Sequence, residues 1–67
     1  MDKHTATANR LLEDLRQQHK TGTLQDGAEF DAYNAFNDYL IREGVRFNDR
    51  GALLNWFNDE IARVFTK

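Results

Sequence analysis

The 67-residue chain has no cysteine and no proline. Without cysteine there are no disulfide staples, no thiolate zinc ligands and no cysteine nucleophile. Serine is also missing, and the aliphatic hydroxyls are Thr5, Thr7, Thr21, Thr23 and Thr66, all at expected ends or loops. No apolar run approaches the ~20 residues of a membrane span. The opening Met-Asp-Lys-His-Thr lacks the hydrophobic stretch of a signal peptide. The expectation is a cytoplasmic protein with no membrane contact. Glycine is the only strong punctuation, at Gly22, Gly27, Gly44 and Gly51.

What remains is 40% hydrophobic, 12% aromatic and 30% charged, too apolar and aromatic for a disordered chain. Length sets a tighter bound. A domain near 60 residues buries only about 60% of the surface its unfolded chain exposes. Ordering each residue costs ~1.5 kcal/mol. Efficient helix packing or a second chain must close that gap. A pocket that encloses a substrate and shields chemistry from water is hard to build at this size, so the expectation is a non-enzymatic protein.

The glycines divide the chain into three helical segments. Residues 1–6 are expected to fray, with a single three-helix domain over 7–67. The first helix is predicted from about Thr7 to Lys20, because Ala8, Leu11, Leu12 and Leu15 recur at helical spacing. Thr5 or Thr7 would cap its start. His19 and Lys20 suit the negative end of its dipole, and Gly22 suits its end. The second runs from about Gly27 to Glu43, with Asp26-Gly-Ala-Glu29 as a capping box and Gly44 as its stop. Phe30, Tyr33, Phe36, Leu40 and Ile41 form its apolar face. Val45 and Phe47 are expected to tuck under the third helix, which Asn48 or Asp49 would cap. That helix, to about Phe65, has Leu53, Leu54, Phe57, Ile61, Val64 and Phe65 on its apolar face, with Trp56 on the flank. The fold expected is all-α, with helices two and three as an antiparallel hairpin and helix one packed across them.

Phe-Asn-Asp occurs three times, at Phe36-Asn37-Asp38, Phe47-Asn48-Asp49 and Phe57-Asn58-Asp59. The first and third extend further: Phe36-Asn-Asp-Tyr-Leu40-Ile-Arg42 aligns with Phe57-Asn-Asp-Glu-Ile61-Ala-Arg63. In both, the apolar pair four apart serves packing, and the Asp–Arg pair four apart suits a helix surface.

Groups that carry chemistry are sparse. His4 and His19 are too far apart for a metal pair on one helix, which needs a spacing of three or four. Glu13-Asp14 and Asp59-Glu60 are sequence neighbours whose side chains diverge on a helix. No glycine-rich loop precedes a helix in the manner of a phosphate cradle. No catalytic residue, metal site or cofactor is assigned.

Charge is unevenly spread. Residues 21–44 hold Arg42 against Asp26, Glu29, Asp31, Asp38 and Glu43, a net −4, while each flank is +1. Tyr39 is expected to point away from the main stripe, with Ala32 and Ala35 beside it. Tyr and Trp are favoured anchors of protein contacts. The leading reading is thus a small adaptor or regulator, bacterial or phage-like in size, that acts by stoichiometric binding to another protein. Tyr39, Trp56, Asp31 and Asp38 are the candidate contact residues. The expected partner has a basic groove, and a second copy of the chain is a further candidate. The alternative is a helical nucleic-acid-binding protein that presents Arg46, Asn48 and Arg50 at the start of helix three. Against it, the chain is acidic overall and lacks the basic stripe that phosphate binding draws on.

Two stretches, Gly44-Val45-Arg-Phe47-Asn-Asp49-Arg50 and Leu53-Leu-Asn-Trp56-Phe57-Asn-Asp59-Glu-Ile61, resemble parts of the theta subunit family of bacterial DNA polymerase III. The resemblance covers about a quarter of the chain. It implies a small three-helical protein that binds another protein, the proofreading subunit in that family. The family has an extra helix between these stretches, where this chain has only Gly51-Ala52.

Overall fold

A computed structural model of the chain describes residues 2–66. Three α-helices, α1 (Lys3–Thr21), α2 (Ala28–Arg42) and α3 (Phe47–Phe65), make up its regular structure, with no strand among the described residues. Each helix packs against both others. Nineteen residues of helix span ~28 Å. The long dimension of 36 Å is therefore little more than one helix, and the short ones of 19 and 17 Å are two helices wide.

The helix ends follow the glycines. Gly44 adopts φ +75° just beyond α2. There the Val45 N–H donates to the Leu40 carbonyl at 3.1 Å and the Gly44 N–H to Ile41 at 3.1 Å. This is a Schellman closure, which needs a left-handed residue at that point. Gly22 ends α1 in the same way, with the Thr23 N–H donating to Gln18 at 3.0 Å.

The helix starts depart from expectation. α1 begins at Lys3, a turn before Thr7, and its cap is Asp2 rather than a threonine. The Asp2 carboxylate accepts from the Thr5 N–H at 2.7 Å. Two contacts to α2 hold this first turn in place. The Lys3 ammonium pairs with the Glu43 carboxylate. His4 Nδ1 lies 3.0 Å from the Tyr39 hydroxyl.

Asp26 does not cap α2. Gly27 occupies the cap position at φ +82°, ψ +6°, with no side-chain hydrogen bond. The Ala28 N–H donates to the Gln25 carbonyl at 3.1 Å, and no described residue other than glycine has positive φ. Asp26-Gly27 is therefore the centre of a type II turn, which demands glycine at its second corner. The turn competes with the capping box and displaces it. α3 starts at Phe47, with Arg46 before it and no side-chain cap. Asn48 and Asp49 already lie in its first turn, where Asp49 suits the positive end of the dipole.

The buried core is Ala8, Leu12, Leu15, Ala32, Phe36, Leu40, Phe57 and Ile61. Val45, Leu53, Leu54, Val64 and Phe65 pack half-buried around it. No polar or charged side chain is buried among the described residues. Three residues expected inside are not. Phe30, Ile41 and Phe47 stay 65%, 52% and 78% exposed. At ~100° per residue, Phe30 and Ile41 sit roughly 120–140° around α2 from Phe36. With only two neighbours, α2 buries a narrower arc than its apolar stripe spans. Phe47 opens α3, where its ring lies 5.5 Å from the Arg50 guanidinium instead of under the helix.

Candidate functional site

α1 and α2 run in opposite directions. Lys3 and His4, at the start of α1, meet Glu43 and Tyr39 at the end of α2. Toward the other end the two helices frame an open groove of about 480 Å³. α1 contributes Leu11, Asp14, Leu15 and Gln18, and α2 contributes Ala28, Asp31, Ala32 and Ala35. Both sets repeat the same helical spacing, so each lies along one face of its helix. Three alanines on α2 leave the volume that larger side chains would fill. Leu15 and Ala32 are buried in the floor. Asp14 and Asp31 are exposed, one on each helix, and no cation lines the groove. Thr23 and Gln25 close the end near the loop.

The sequence-predicted contact residues fall in different places. Asp31 lines the groove, and Asp38 is exposed further along α2. Tyr39 is half-buried: its hydroxyl meets His4, its ring stacks on Phe36 with centroids 6.2 Å apart, and its edge contact with His4 spans 5.6 Å. Trp56 is also half-buried, 6.5 Å from Phe57 between centroids. The sequence offers Leu11 only for the α1 apolar stripe and Asp14 only as a diverging neighbour of Glu13, and it gives Ala28 no role. Their signal is visible only once α1 is known to lie alongside the Ala28–Ala35 face of α2.

The start of α3 separates the other three candidates. Arg50 is half-buried and donates to the Val45 carbonyl at 3.2 Å, beside the Phe47 ring. Arg46 and Asn48 are exposed. The denser set of cations lies elsewhere, where Arg16, Lys20 and Arg63 line, with His19, a hollow of about 550 Å³. These residues sit near the C-terminal ends of α1 and α3, where positive charge offsets the helix dipoles. Arg16 and Arg63 are also paired, with Glu13 at 3.4 Å and Glu60 at 3.5 Å. His19 rests edge-on against Phe65, centroid to centroid 5.2 Å.

Among the described residues three ionisable groups are shifted, all at the α1 start and its α2 contact. The Thr5 N–H hydrogen bond holds the Asp2 carboxyl below its ordinary value. The Lys3 hydrogen bond lowers Glu43. The same bond raises Lys3. None of these groups lines the groove. No group of three His, Asp or Glu side chains converges among the described residues. No described helix is long and apolar enough to cross a membrane.

No protein-family model, no curated protein and no solved structure matches the chain. The two stretches that resemble the theta family carry no role over to this chain, and the functional reading rests on its own geometry.

Proposed function

We propose that the protein is a small, non-catalytic adaptor that takes a positively charged, apolar-bearing segment of a partner protein into the α1–α2 groove. One observation carries this reading: an apolar floor flanked by a carboxylate on each helix, Asp14 and Asp31, with no cation among the lining residues. Apolar side chains of the partner would displace water from Leu11, Leu15 and the alanines. Lysine or arginine beside them would meet the two acids. Asp38 lies further along the exposed side of α2, where it adds to the field that steers such a segment inward. The partner thus brings the basic charge that complements the acidic middle helix. Tyr39, which meets His4 and Phe36, helps to hold α1 beside α2, and Trp56 packs beside Phe57 on α3.

The test compares capture from a native lysate by the immobilised chain and by an Asp14→Lys, Asp31→Lys variant with an unchanged melting midpoint. A protein retained by the first, lost by the second and released by moderate salt is the expected result. Equal retention of every captured protein by both would overturn the proposal.

A further inference from the structure

The opposite flank of α2 has a different character. Phe30, Asn34, Asn37 and Ile41 follow one another along a single stripe at helical spacing. On α3 the matching stripe is Phe47, Gly51, Asn55, Asn58 and Ala62. A groove of about 500 Å³ has Phe30 and Tyr33 on one wall and Asn55 and Asn58 on the other, so both stripes open on the same side of the molecule. Neither stripe contains a charged residue, in a chain that is 30% charged. Glu29, at the groove's end, is the single charge lining it. The three large hydrophobics exposed among the described residues, Phe30, Ile41 and Phe47, all belong to these stripes.

We infer that this face pairs with the same face of a second copy of the chain, related by a two-fold axis. Three arguments favour a copy over another occupant. First, a face without charge meets itself without repulsion, whereas the flank bearing Asp31 and Asp38 would set its own acids against each other. Second, the amide is its own complement, donating through nitrogen and accepting through oxygen. Asn34 and Asn37 on α2 have counterparts at the same spacing in Asn55 and Asn58 on α3, through the echo Asn34-Ala-Phe-Asn-Asp and Asn55-Trp-Phe-Asn-Asp. A two-fold axis that passes close to these amides sets amide opposite amide. Third, the exposed parts of the three hydrophobic side chains total roughly 400 Å², about half of the ~800 Å² that each partner gives a standard interface. With the axis perpendicular to the helices, the two copies of Glu29 lie at opposite ends and do not oppose the pairing.

This inference stands apart from the groove reading, which uses the other side of α2. It is tested by sedimentation equilibrium over a concentration series, with two charge variants at the exposed amides. One carries Asn34→Asp and Asn55→Asp, the other Asn34→Lys and Asn55→Lys. The wild-type chain is expected at twice its 7.8 kDa mass. Each variant alone should dissociate at least about tenfold more readily, because like charges then face each other. An equimolar mixture of the two should regain the dimer. That recovery also shows that both variants are folded. A wild-type chain that stays at the monomer mass up to about 1 mM overturns the inference. So does a dimer that both variants leave intact.

Discussion

Phe36 and Phe57 meet at the centre of the bundle, with ring centroids 4.6 Å apart and planes tilted by 43°. Both are fully buried, and each opens one copy of the repeated Phe-Asn-Asp. The echo between α2 and α3 is thus a packing device on its phenylalanine side. On its asparagine side it leaves amides at matched positions on the outer face.

The first prediction follows from that contact. Phe36→Ala or Phe57→Ala should cost roughly 3–5 kcal/mol, the usual price of emptying a buried ring site. At ~0.05–0.15 kcal/mol per residue, a chain this short has little more than that to lose. Urea or thermal melts should find either variant largely unfolded, whereas Phe47→Ala should melt like the parent when both are read at low concentration, where the chains are monomeric. A normal melt for Phe57→Ala would contradict the packing.

Caps give the second. Asp2→Ala removes the acceptor of the Thr5 N–H and should lower the melting midpoint by roughly a few degrees. Asp26→Ala should leave it unchanged, because Gly27 and not Asp26 sets the α2 start. The reverse order of effects would restore the capping box.

Two glycines should respond with opposite signs. Gly51 lies inside α3, and a Cβ there would meet nothing within 4 Å. Gly51→Ala should raise helix stability by about 0.8–1 kcal/mol. Gly44 holds φ +75°. Gly44→Ala should therefore destabilise by about 1–2 kcal/mol, the left-handed penalty. Chemical denaturation of the two variants, read at low concentration, checks both signs.

Acid should weaken the α1 start. Asp2 and Glu43 have folded-state values below their ordinary ones. A depressed carboxylate contributes stability that is complete above its unfolded value and fades as pH falls through the folded one. The melting midpoint should therefore decline from about pH 5 downward, since unfolded carboxylates titrate near about 3.9–4.3. An Asp2→Asn, Glu43→Gln variant should show a shallower decline. Lys3 is raised, so its share is full below its ordinary value and is lost only in strong alkali, as pH rises through the folded value. Parallel pH curves for parent and variant would remove these groups from the account.

The helix stops were legible because a left-handed residue is a property of glycine itself, as at Gly22 and Gly44. The three-helix fold followed from apolar spacing that only a helix satisfies. The starts were less legible. The first turn of α1 is held by Glu43 and Tyr39, contacts that no local signal reports. At Asp26-Gly27 one pair of residues fits both a capping box and a turn, and the glycine decided. Phe30 and Ile41 show a different limit. Periodicity marks an apolar stripe, but the number of neighbours sets how much of it is covered. For the groove, Asp31 was visible from the acidity of the middle helix, whereas Asp14 acquires its role only by lying across from it.

The α1–α2 groove is the proposed binding surface. The most direct measurement is an amide chemical-shift titration of the isotopically labelled chain with the basic segment of a captured partner. The account predicts shifts concentrated at Leu11, Asp14, Leu15, Ala28, Asp31 and Ala35, diminished by added salt. Shifts confined to the Phe30–Ile41 stripe and the start of α3, with the groove amides unmoved, would contradict it.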